Sequence, residues 1–193
     1  FALHRRAKLK SNELVLINAA AGGVGISAVQ LAKIYGAKVI AAVGSNEKKE
    51  IVEKYNPDLV VNYQEENLKE TVEKHFGKRP VNVFYDQVGG ESYNQGIKLL
   101  SSEGRALIVG FASGNIPSQS LSYLLVKNIT IMGVFMISFE ENDKEYLKNR
   151  IEIIFDHFRS KKIEPIYKTI GFEDVIKYLD LIGSRKTVGR IVA

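Results

Sequence analysis

Asn18-Ala19-Ala20-Ala21-Gly22-Gly23-Val24-Gly25 follows an apolar run from Leu14 and opens a helical pattern that Gly36 stops after Tyr35. Strand, tight turn and helix in that order are the setting a dinucleotide-binding turn requires. Ala20, Gly22 and Gly25 take the three small-residue positions of G-x-G-x-x-G. The first is expected to make the tight turn. Gly22 admits a pyrophosphate close to the backbone, and Gly25 lets the helix lie against the strand. The start of the helix then offers unpaired N–H groups and a partial positive charge to the phosphates.

Outward from this turn, apolar runs alternate with amphipathic stretches. Strands are expected at Lys38–Val43, Leu59–Asn62, Val81–Tyr85, Arg105–Val109 and Ile129–Val134, after the first at Leu14–Asn18. Helices are expected from Ser45 or Asn46 to before Pro57, over Leu68–Phe76, and over Glu91–Leu100. The runs lack period-two alternation, as strands buried on both faces do, and the loops are short. A doubly wound α/β fold with a parallel sheet of six strands follows. After Phe139 the rhythm changes. One long amphipathic helix, Asp143–Arg159, precedes a strand at Tyr167–Ile170, a helix at Phe172–Leu181 and a strand at Gly189–Val192. This tail has too few strands for a core of its own and is expected to pack on something else. The chain divides into a leading helix (1–12), a nucleotide-binding unit (13–139) and a returning segment (140–193). The opening at Phe1, inside a helical-looking stretch, reads as a cut through a longer polypeptide.

With 193 residues, 45% of them hydrophobic, the chain has the material for one large core. Its formal charge of +5 and pI near 9.2 favour an anionic ligand. Nucleic acid is disfavoured, because no aromatic and basic residues interleave. The absence of cysteine removes disulfides, thiol nucleophiles and cysteine-ligated zinc. His4, His75 and His157 lack metal-ligand spacing, so no metal site is expected. No run is long enough for a membrane helix and no signal peptide pattern opens the chain, which makes the expected location cytoplasmic.

The second strand, KVIAAV, runs into Gly44-Ser45-Asn46 with no carboxylate at its tip. An acidic residue there would hold the 2′-hydroxyl of NAD, and its absence leaves room for a 2′-phosphate. Ser45 can donate a hydrogen bond, Lys48 supplies charge, and Tyr63 lies at the edge of the neighbouring strand. Each also has a plain structural reading, as cap, solvated charge and packing group. Together they make NADPH the expected cofactor.

These segments resemble the quinone oxidoreductase (zeta-crystallin-like) branch of the zinc-independent medium-chain dehydrogenase/reductase superfamily. The resemblance rests on NAAAGGVGISAVQLAKIYGAKVIAAVGSNEK (18–48), VVNY (60–63), VFYDQVGG (83–90), GRALIVGF (104–111), IMGVF (131–135) and TVGRIVA (187–193), in that order. ALHRRAKLK at the start is similar to the helix leading from that family's catalytic domain. The resemblance implies a Rossmann sheet, with Ala21, Gly22, Gly23, Val24 and Gly25 at the pyrophosphate and Ser45, Lys48 and Tyr63 around the 2′-phosphate. It also implies that Gly90, Val109, Gly110, Phe111, Val134 and Phe135 line the nicotinamide half and that Arg185 reaches back to the cofactor. A homodimer through the edge of the sixth strand is implied too. So is a GroES-like catalytic domain that the tail would partly belong to.

The implied reaction is hydride transfer from NADPH to a quinone or an activated α,β-unsaturated carbonyl, with no residue of this chain assigned as catalytic. Two alternatives remain. One is a non-catalytic NADPH-binding module with a crystallin-like or RNA-binding role. The other is a short-chain-type carbonyl reductase using Tyr123 and Lys127, whose spacing matches Tyr-x-x-x-Lys.

Overall fold

The strand before the glycine turn, β1 (Leu14–Ile17), is buried along its whole length. Its even and odd residues enter two different cores. Leu14 and Leu16 join one apolar cluster, and Val15 and Ile17 join the other. Four other strands repeat the division because successive side chains alternate across a sheet. These are β2 (Lys38–Val43), β3 (Leu59–Asn62), β4 (Val81–Asp86) and β5 (Leu100–Ile108). With β6 (Thr130–Gly133) they form a six-stranded sheet in the order β3-β2-β1-β4-β5-β6, parallel throughout. The structure is a computed structural model and describes residues 1–136, 143–184 and 186–193.

The helices cover both faces. α1 (Gly23–Ile34) buries Ile26, Val29 and Ala32 on one cluster. α3 (Leu68–Phe76) places Leu68 and Val72 on the other, with Tyr93 of α4 (Gly90–Gly96). α2 (Asn46–Glu53) is capped by Ser45, whose oxygen accepts the Lys48 N–H, and α3 is capped in the same way by Asn67. The strand order reverses between β1 and β4, so a crevice opens beyond their carboxyl ends.

The expected architecture is present, with local departures. The helix expected over Glu91–Leu100 ends at Gly96 and tightens into a 3₁₀ turn over Ile97–Leu99. β5 begins at Leu100, earlier than Arg105. Its pairing with β4 shifts between Val81 and Val83, because Glu103 turns through a left-handed conformation (φ +62°). The opening stretch makes only one wide turn, Ala2–Arg6, with i to i+5 bonds such as Ala7 N–H to the Ala2 carbonyl at 2.9 Å.

The tail both leaves apolar faces uncovered and is tied to the nucleotide-binding unit. α6 (Lys144–Arg159) and α7 (Val175–Gly183) do leave apolar side chains exposed, among them Phe155, Phe158, Ile176 and Leu179. The short strands β7 (Tyr167–Thr169) and β8 (Arg190–Val192) pair with each other in a separate parallel ribbon. Yet the segment is bound to the nucleotide-binding unit at two places. Gln30, buried in the middle of α1, exchanges two hydrogen bonds with the main chain of Glu164, at 2.9 and 2.7 Å. Gly189 donates its N–H to the Ala21 carbonyl at 2.9 Å and bridges Gly22. The expected boundary at 139/140 and the expected cofactor contact Arg185 lie outside the described residues. Among the described residues no helix is long and apolar enough to cross a membrane.

Candidate functional site

The turn from β1 into α1 is held by a strained residue and its partners. Ala19, rather than Ala20, makes the left-handed turn (φ +44°), and Ala20 is fully buried behind it. That conformation costs an L-residue roughly 1–2 kcal/mol. The Ala19 carbonyl accepts the Gly22 N–H at 3.0 Å and the Gln87 side-chain amide at 3.2 Å, and Gln87 also donates to the Asn18 carbonyl at 3.0 Å. One side chain from the β4 turn thus grips the glycine turn from outside.

A second link lies beneath it. Asn18 donates to the buried Asp86 carboxylate at 2.7 Å, and Asp86 also accepts the N–H groups of Val88 and Gly89 at 3.1 and 3.0 Å. Burial pushes the Asp86 carboxyl above its ordinary range against the pull of these three donors. Burial also pushes the Tyr85 and Tyr93 hydroxyls up to about 12, so both stay protonated at neutral pH.

The three glycines of the turn have different neighbours. A Cβ on Gly25 would collide with the Ala19 carbonyl and stand 2.8 Å from the Ala20 Cα, so Gly25 is a packing requirement. A Cβ on Gly23 would stand 2.8 Å from Cγ of Arg190. A Cβ on Gly22 would meet only the Ala19 oxygen, at 3.4 Å. Space remains over Gly22 that the fold does not fill. α1 has no side-chain cap there, so its first-turn N–H groups face that space without intrahelical partners.

The space is a cleft of about 570 Å³. Ala21, Gly22, Gly23 and Val24 form one wall, Lys48 and Tyr63 another, and Gln87 and Val88 a third. The Tyr63 hydroxyl lies 2.8 Å from where a Cβ on Gly44 would stand, so Gly44 is what lets the ring lie across the β2 turn. Thr187, Gly189 and Arg190 close the cleft from the tail. Among the described residues lining it there is no carboxylate, while Lys48 and Arg190 bring positive charge. The arrangement accepts an extended ligand carrying anionic groups at two places.

Of the expected site residues, Ala21, Gly22, Gly23, Val24, Lys48 and Tyr63 line this cleft, and Gly25 lies behind it. Ser45 sits beside it as the α2 cap. Gly90 lines an adjoining cleft that shares Tyr63 and Val88 with the first. Gly90 and Gly89 have φ of +61° and +72°, which lets their turn approach Ser113 and Asn115. Val109, Gly110 and Phe111 continue from β5, and Val134 and Phe135 from β6. None of these five lines the main cleft, though all lie at the same carboxyl edge of the sheet. Tyr123 packs on a core cluster and Lys127 ends the short helix α5 (Leu121–Lys127), so neither reaches the cleft.

Gln87, Thr187 and Arg190 are the lining residues with polar side chains that the sequence did not point to. A glycine inside a strand pattern often marks close approach by another backbone, and Gly189 in TVGRIVA carried that signal. Gln87 is adjacent to a glycine pair but shows no pattern of its own. Among the described residues no group of three or more His, Asp or Glu side chains is placed to hold a metal.

Comparison with known proteins gives consistent matches. The family model described as zinc-binding dehydrogenase matches residues 23–154. Quinone oxidoreductase-like protein 2 of Bos taurus is 34% identical, over 100% of this chain and 56% of its own length. Acryloyl-coenzyme A reductase of Metallosphaera sedula is 33% identical, over 97% of this chain and 52% of its own length. The crystal structure of Escherichia coli quinone oxidoreductase complexed with NADPH superposes with a TM-score of 0.86 at 29% identity, over 97% of this chain and 59% of that one. The chain spans about half the length of the curated relatives it matches.

Proposed function

This chain belongs to the zinc-binding dehydrogenase family, in the quinone oxidoreductase branch of the medium-chain dehydrogenase/reductases, and from that premise we propose that it is the NADPH-binding part of a reductase. The observation that carries the cofactor is the cleft itself: open space over Gly22, no carboxylate among the described lining residues, and cations at two separate points. In this reading the first-turn N–H groups of α1 and Arg190 hold the pyrophosphate. Lys48, Tyr63 and the Ser45 hydroxyl take the 2′-phosphate. Gly90, Val109, Gly110, Phe111, Val134 and Phe135, on the carboxyl ends of β4 to β6, border the nicotinamide half. The similarity to a structure complexed with NADPH supports the same choice.

When bound, the cofactor supplies a hydride. The chain's own contribution is to hold it in one orientation. The Gln87 and Asp86 links fix the β1 and β4 turns relative to each other, so a ligand spanning both meets a preorganised surface. We read the acceptor as a quinone or an activated α,β-unsaturated carbonyl, supported by the names of the relatives. We also read the molecule as a homodimer through the free edge of β6, where Thr130 and Gly133 are exposed. Single-turnover reduction of a quinone by the full-length protein with NADPH tests the acceptor. Reduction of acryloyl esters and not quinones would narrow the reading to the activated carbonyl, and reduction of neither would overturn it.

A further inference from the structure

Lys48 and Tyr63 reach the cleft from different turns. Lys48 stands in the first turn of α2, just past the β2–α2 turn, and Tyr63 on the turn after β3. A phosphate held by both needs the two turns in fixed register. Between them lies Asn62, the last residue of β3 and one of four buried polar residues in the described chain. Its side-chain amide donates to the Asn46 side-chain oxygen at 2.9 Å, and its own oxygen accepts the Gln64 N–H at 3.2 Å. Asn46 in turn donates to the Glu65 carboxylate at 2.8 Å. The chain of bonds has one direction. Asn46 must present its oxygen to Asn62 and its amide to Glu65, so turning the Asn46 amide over would break both bonds.

This relay runs from the buried end of β3 to the first residue of α2, two residues before Lys48. It also keeps Glu65 hydrogen-bonded to the start of α2, and Glu66 is held by Lys49 at 3.8 Å. A buried asparagine that only satisfied itself would not need a second asparagine and a carboxylate in series. We propose that Asn62 is a positioning residue for cofactor selectivity: through Asn46 it sets the β2–α2 turn so that Lys48 and Tyr63 converge on a 2′-phosphate. The proposal rests on the NADPH reading above.

The test is calorimetric titration of the chain with NADPH and with NADH, comparing the unmodified protein with Asn62→Ala and Asn46→Ala. Asn46 is exposed, so its variant breaks the same relay where folding is not at stake. Both variants are expected to weaken NADPH about tenfold and leave NADH unchanged, as loss of preorganisation at one phosphate should. In a Lys48→Gln background the Asn46→Ala change should have no further effect on NADPH, because the relay acts through that lysine. Equal weakening of both cofactors, or additive effects with Lys48→Gln, would reduce the relay to general packing and overturn the proposal. Retained selectivity in both variants would overturn it outright. If the unmodified chain fails to distinguish the two cofactors, the NADPH reading itself falls and takes this proposal with it.

Discussion

Gly22 and Gly25 are three residues apart and their substitution separates binding from folding. Gly22→Ala places a methyl where only the ligand is crowded. It is expected to lower NADPH affinity at least tenfold with an unchanged melting temperature, read by calorimetry and thermal denaturation. Gly25→Ala drives a methyl into the Ala19 carbonyl. It should destabilise the fold by about 3 kcal/mol, the upper part of the range for overpacking. Arg190→Gln should weaken NADPH and NADH alike, because the pyrophosphate is common to both. The glycine pattern, Lys48 and Tyr63 were legible in the sequence, since each depends on residues within a turn of a strand end. Arg190 was not, because it reaches Gly23 across more than 160 residues of chain and only the folded tail brings them together. The tight turn was expected at Ala20, but the left-handed residue that makes it is Ala19, for a similar reason. Two alanines in a row look alike until the hydrogen bonds of Gly22 and Gln87 choose between them.

Among the elements, the strands were readable because apolar runs buried on both faces have few alternative uses. Their ends were less so. The early start of β5 depends on its pairing with β4 at Val81, a contact no local pattern reports. The fit of α1 and β2 to the next turn depends on Asp58. Its carboxylate accepts the Val39 N–H at 2.7 Å and pairs with Lys33 at 2.9 Å. Burial pushes this carboxyl up, but the Val39 and Lys33 bonds together hold it below its ordinary value. A group with a lowered folded pKa stabilises above its unfolded pKa and loses that contribution as the pH falls through the folded one. Stability should therefore decline below about pH 4, and Asp58→Asn should flatten that decline in melting temperatures measured from pH 7 to pH 3. Gln30→Leu should leave the sheet intact and release the tail, seen as faster amide hydrogen exchange at Glu164 and Gly189. Unchanged exchange would mean that the Gln30 bonds do not hold the segment.

At the scale of the molecule, the tail is the part whose contacts were least legible in the sequence. Its exposed helices agree with the expectation of a further packing surface, but its β8 end helps build the cofactor cleft. A segment with no core of its own takes its place from contacts elsewhere, and those contacts are long-range by nature. For the whole molecule the deciding property is discrimination by the cleft for the 2′-phosphate. Calorimetric titration of the chain and of Lys48→Glu with NADPH and NADH measures this directly. NADPH should bind at least tenfold more tightly than NADH to the unmodified chain, and the preference should vanish in Lys48→Glu. Equal affinity for the two cofactors in the unmodified chain would contradict it.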